Sequence, residues 1–105
     1  MKKTFNKDNF IETNSEFLLK KLEDFLRTEI NDETFSVIYN FVQWHNFRKG
    51  EFEGNQYLIK KINTEELLII DIVSEEFVND FSKTRFRISV LEMIELLDEI
   101  GSRQF

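Results

Sequence analysis

The sequence predicts a single α+β domain: N-terminal helices, a small antiparallel sheet (a β-hairpin at about 56–73 plus a strand at about 84–88) and a closing helix at about 90–100. Three observations carry this. Two capping-box sequences, Thr13-Asn14-Ser15-Glu16 and Ser89-Val90-Leu91-Glu92, each introduce apolar residues at helical spacing. Two short runs rich in β-branched and aliphatic residues lie between them, joined by a four-residue connection. The length of 105 residues, with 41% hydrophobic and 32% charged side chains, suits one domain with its own core, residues 1–105 throughout.

Taken in order, residues 1–12 read as a lead-in anchored by Phe5 and Phe10. From the first capping box, Leu18, Leu22, Phe25, Leu26 and Ile30 recur on one face, with Lys20, Lys21, Glu23, Asp24 and Arg27 on the other, which predicts a helix over 14–30. Asn31-Asp32-Glu33 stops it and starts the next segment. Thr34 to Phe47 fits two patterns: Phe35, Ile38, Phe41, Val42 and His45 suit a helix, whereas Phe35, Val37, Tyr39 and Phe41 suit a strand. Its β-branched and aromatic content favours the strand; its length and acidic start favour the helix, which is the reading adopted over 33–47.

Residues 48–55, with Gly50 and Gly54, read as a loop. Tyr57–Ile62 and Leu67–Val73 read as paired strands; the second is apolar except for Asp71 and is expected to be the more buried. Ser74–Phe81 fits a short helix or a loop, and Arg85–Ile88 alternates as a half-exposed third strand. In the closing helix Val90, Leu91, Met93, Ile94, Leu96, Leu97 and Ile100 form the apolar stripe, and Gly101 stands where a left-handed C-terminal cap belongs. The expected core joins Leu22, Phe25, Leu26, Leu68, Ile70, Ile94 and Leu97.

Composition narrows the chemistry. With no cysteine there is no disulfide, thiolate metal site or thiol nucleophile within the chain. His45 is the sole histidine, so a two-histidine metal site cannot form from one chain, and no nucleophile is specified beside it. Glu75, Glu76, Asp71 and Asp80 do not follow calcium-loop spacing, and Gly50-Glu51-Phe52-Glu53-Gly54 lacks the Lys-Ser/Thr of a phosphate loop. No catalytic residue, metal or cofactor is therefore assigned. Met1-Lys2-Lys3 begins like a signal peptide, but no apolar stretch follows it, and the longest apolar run, Leu67–Ile70, is too short to span a membrane. A cytoplasmic location is expected. The 12 phenylalanines, 11 isoleucines and 9 asparagines, beside an absence of alanine and proline, match AT-rich codon usage and by themselves say little about an aromatic surface.

Charge is the functional clue. Residues 1–62 carry ten basic and ten acidic side chains, so the net charge of -6 comes entirely from residues 63–105. An acidic field attracts basic proteins and repels nucleic acid and anionic membrane, so neither is an expected partner. Lys60-Lys61, among aromatic and aliphatic neighbours on a predicted strand, is compatible with a sheet that stacks RNA bases, but the net charge and the absence of the aromatic RNP pattern stand against it. Asp98 and Glu99, near the negative end of the last helix, would be suited by an external cation. The expected contact surface is Glu65, Glu66, Glu75, Glu76, Asp80, Glu92, Glu95, Asp98 and Glu99, with Trp44 and Tyr57 as aromatic anchors. The matching function is a small inhibitor that occludes a basic partner, foremost an immunity protein against a nuclease-type toxin domain. A phage-encoded inhibitor of a defence nuclease and a non-catalytic adaptor share the same physical profile.

Overall fold

The computed structural model describes residues 5–43 and 50–104. It is an α+β fold: helices α1 (Lys7–Thr13), α2 (Glu16–Thr28) and α3 (Phe35–Gln43), strands β1 (Gly50–Glu53), β2 (Tyr57–Lys61), β3 (Glu66–Asp71) and β4 (Arg85–Ser89), and helix α4 (Val90–Gln104). The strands form one antiparallel sheet in chain order, and two short 3₁₀ turns, Ser74–Glu76 and Phe81–Lys83, lie between β3 and β4.

The helices cover one face of the sheet. Leu18, Leu22 and Phe25 of α2, Ile38 and Val42 of α3, and Val90, Met93 and Leu97 of α4 close on Ile59, Leu67, Ile69, Phe86 and Ile88. The sheet register explains which strand residues take part. Phe52, Ile59, Ile69 and Phe86 stand side by side across the four strands, so they share a face. Leu68 and Ile70 point the other way. The expected core is corrected here: it took the wrong face of β3, because a strand apolar on both sides gives no period-2 signal. The opposite face carries Glu51, Lys60, Leu68 and Arg87 in one row and Glu53, Leu58, Ile70 and Arg85 in the next.

Four local expectations change. Residues 7–13 are helical rather than a lead-in, because the Asn6 side chain accepts from the Asp8 and Asn9 amides. The first capping box shifts: Ser15, not Thr13, caps α2 and accepts from Leu18 N–H at 3.1 Å. Asn14 is drawn off instead to β4, where its side-chain amide exchanges two hydrogen bonds of 3.2 Å with the Arg87 backbone. Gly50–Glu53 is an edge strand, not a loop. Gly101 continues α4, and no described glycine has positive φ. A Cβ on Gly101 would sit 2.8 Å from Cζ of Phe35, so this glycine permits the close approach of α3 to α4. The second capping box is as expected: Glu92 N–H donates to Ser89 Oγ at 3.0 Å, and Ser89 N–H to Glu92 Oε1 at 3.2 Å. Residues 35–43 are helical, which decides the described part of the ambiguous segment.

Candidate protein-interaction surface

The connection from β3 to β4, residues 72–84, is long for an antiparallel neighbour pair, yet it is tied at its base and along its length. Asp71 N–H donates to the Thr84 carbonyl at 2.8 Å, and Ile72 N–H to that of Gln56 at 2.9 Å. The Asp71 side chain, fully buried, accepts from Ser74 N–H at 3.0 Å and from the Ser74 hydroxyl at 2.8 Å. Lys21 of α2 completes the group with an ion pair to Asp71 and a 3.1 Å bond to Ser74 Oγ. Burial pushes the Asp71 carboxyl up, but the Lys21 ammonium and the two Ser74 donors outweigh it and hold the group below the usual carboxylate range.

Further along, Glu75 accepts from Nε and Nη2 of Arg85, at 2.6 and 3.1 Å, and from the Thr84 hydroxyl at 2.8 Å. The Arg85 hydrogen bonds lower its pKa against the opposing effect of burial. Asp80 caps the second 3₁₀ turn, accepting from the Ser82 hydroxyl at 2.6 Å and amide at 3.0 Å, which also hold its carboxyl low.

This well-bonded backbone turns apolar side chains outward. Phe77 is 81% exposed and Phe81 54%, with Val73 and Val78 exposed beside them in sequence and Phe17 exposed on α2. Lys21, which reaches Ser74 of the connection, also lies 5.8 Å from the Phe17 ring centre on its own helix, so α2 and the connection meet at this place. Fully burying a phenylalanine is worth about 1.5–3 kcal/mol. Two exposed phenylalanines on a connection whose backbone is held by side-chain caps make it the candidate contact surface.

The expected acidic surface is not brought together. Glu65, Glu66 and Glu92 gather where β3 begins and α4 starts, beside Leu91, which is also exposed. Glu75, Glu76 and Asp80 lie past the other end of β3, roughly 17 Å away. Glu95, Asp98 and Glu99 run along α4. Several of these carboxylates already have work inside the fold: Glu66 lies 3.5 Å from Arg87, Glu92 closes the capping box, Glu75 holds Arg85, and Asp98 accepts from the Tyr39 hydroxyl at 2.8 Å. Because α4 continues past Gly101, Asp98 and Glu99 lie outside its last turn, and the argument from the negative helix end does not apply. Glu76 is exposed and has no side-chain partner among the described residues.

Tyr57 is corrected outright. It is 1% exposed, packs edge-on against Phe25 with ring centres 5.5 Å apart, and donates to Asp24 Oδ2 at 2.7 Å; burial, then that bond, raises its pKa. Trp44 and His45 lie outside the described residues.

The side chains that sequence reasoning missed are Val73, Phe77, Val78, Phe81 and Phe17. A signal existed. Phe77 and Phe81 stand among Glu75, Glu76, Asn79 and Asp80, in a stretch that fits only a short helix or a loop, so large apolar side chains there have few apolar neighbours in sequence to join.

The remaining polar groups serve the fold. Lys21, Ser74 and Asp71 contain a hydroxyl beside an amine, but the ammonium is paired with a carboxylate and the hydroxyl donates to that carboxylate, so neither is activated as a nucleophile. No group of acidic or histidine side chains among the described residues is placed to hold a metal ion, and no described helix is long and apolar enough to cross a membrane. No protein-family model matches the chain, and no curated protein or solved structure is significantly similar to it.

Proposed function

We propose that this chain is a small protein-binding inhibitor that neutralises a basic partner by occlusion, acting as an immunity-type protein toward a nuclease toxin domain. The observation that supports this best is the Phe77–Phe81 surface: two exposed aromatic rings on a connection whose backbone is held by Asp71 and Asp80 and which Glu75 ties to Arg85. Such a surface meets a partner with little ordering cost, because its backbone is already bonded. The negative charge of residues 63–105 supports the choice of a basic partner, since it speeds encounter with a surface that otherwise holds phosphates. The aromatic rings then supply lasting contact while the carboxylates steer.

The test is affinity capture followed by a nuclease assay. Tagged chain from the source cell is expected to retain one basic protein, and that protein's nucleic-acid cleavage is expected to stop at one equivalent of the chain. The Phe77→Ser, Phe81→Ser variant should neither retain the partner nor stop cleavage. A captured partner without nuclease activity, or capture indifferent to the double substitution, contradicts the proposal.

A further inference from the structure

The connection carries an acid–phenylalanine pair twice, Glu76-Phe77 and Asp80-Phe81, four residues apart. Beside Phe81 the fold contains an instance of what a ring and a nearby carboxylate bind, with Glu75 as the carboxylate because Asp80 accepts from Ser82. The Arg85 guanidinium lies 4.1 Å from the centre of the Phe81 ring, and the same group donates to both oxygens of Glu75 at 2.6 and 3.1 Å. A guanidinium is suited to this double engagement. Its faces are weakly hydrated and stack on a ring, while its edge donors fork onto a carboxylate. A lysine ammonium is compact and more strongly hydrated, and it makes the looser contact: Lys21, paired with Asp71, stays 5.8 Å from the Phe17 ring centre.

Phe77 has no such occupant. It is the most exposed of these rings, no cation lies over it among the described residues, and its neighbour Glu76 has no side-chain partner there either. Bulk charge is a weak attractor at this place, because residues 72–85 hold three acids against Lys83 and Arg85. Selectivity must then come from stacking. We infer that Glu76-Phe77, with the open side of Phe81, receives arginine side chains of the partner in the manner Arg85 already displays, so the partner's contact surface is rich in arginine rather than lysine. This rests on the proposed function and names the partner's chemistry at the same surface.

The experiment is an amide-resonance titration of the full chain with blocked hexa-arginine and hexa-lysine peptides at physiological ionic strength. The arginine peptide should move the resonances of residues 76–81 and bind roughly two- to fivefold more tightly than the lysine peptide. Phe77→Leu, which keeps apolar bulk without an aromatic face, should abolish that difference, and Glu76→Gln should weaken both peptides. Equal affinities, or shifts confined to α4 around Glu92, Glu95 and Asp98, would overturn the inference. So would shifts of residues 76–81 that follow protein concentration alone, which assign the surface to a second copy. A response to phosphatidylcholine vesicles in place of the peptides would overturn it as well. Equal peptide affinities with partner capture still lost in Phe77→Ser, Phe81→Ser would remove this inference and leave the proposed function standing. An arginine preference without any nuclease partner would do the reverse.

Discussion

Glu29 holds the turn between β1 and β2 with one buried carboxylate, accepting from Asn55, Gln56 and Tyr57 N–H at 3.1, 2.7 and 2.8 Å. A Cβ on Gly54 would stand 2.5 Å from Glu29 Oε1, so Gly54→Ala must displace that carboxylate from its donors. Chemical denaturation should show a loss of about 1–3 kcal/mol, and a variant as stable as the parent would contradict the assignment. Asp71 gives a pH signature. Its folded pKa lies below the unfolded value near 4, so the stability it contributes is present above that value and is lost as pH falls through the folded one. Asp71→Asn should lower stability at neutral pH and flatten the decline that the parent shows as pH falls below about 4. Parent and variant with parallel acid limbs would show that Lys21 and Ser74 do not stabilise the carboxylate. Little of this was legible in the sequence. Asp71 stood out as the polar residue in an apolar run, but its partner Lys21 is fifty positions away, and Tyr57 was placed at the surface by residue type alone.

Elements were legible where their signals are local. The α4 N-terminus is a reciprocal exchange within four residues, Ser89 to Glu92, and was read correctly. The end of α4 was misread because Gly101 answers to Phe35 on another helix, a constraint no local pattern carries. The inward face of β3 was misread because both faces are apolar, and β1 was missed because it is only four residues long, begins at Gly50 and is followed by Gly54. The corrected face gives a paired prediction. Leu97→Ala, at a fully buried site, should cost about 2–4 kcal/mol, whereas Leu68→Ala, on the opposite face of β3, should cost at most about half as much. Equal losses in thermal or denaturant unfolding would place Leu68 back in the main core. The β3–β4 connection belongs to this scale too. The phenylalanine count alone, with its codon-level explanation, points to no particular ring, and only exposure on a hydrogen-bonded backbone separates Phe77 and Phe81 from core residues.

At the scale of the whole molecule, charge and contact separate. The sequence placed the acidic excess in residues 63–105, and the fold distributes it over both ends of β3 and the length of α4. Such a spread suits long-range steering, which depends on total field, better than a single charged contact patch. Lasting attachment is then assigned to Phe77 and Phe81. Phe77→Ser, at an exposed ring, should change folding stability by no more than about 0.5 kcal/mol, and Phe81→Ser, which also loses the stack on Arg85, by about 0.5–1 kcal/mol. The direct test is the kinetics of association with the captured partner at low and physiological ionic strength. The double phenylalanine variant should dissociate roughly tenfold faster or more, with its on-rate little changed. Glu92→Lys with Glu95→Lys should slow association in a salt-dependent way and leave dissociation nearly untouched. An off-rate unmoved by the loss of Phe77 and Phe81, together with one raised by charge reversal on α4, would contradict the assignment of the binding surface to the β3–β4 connection.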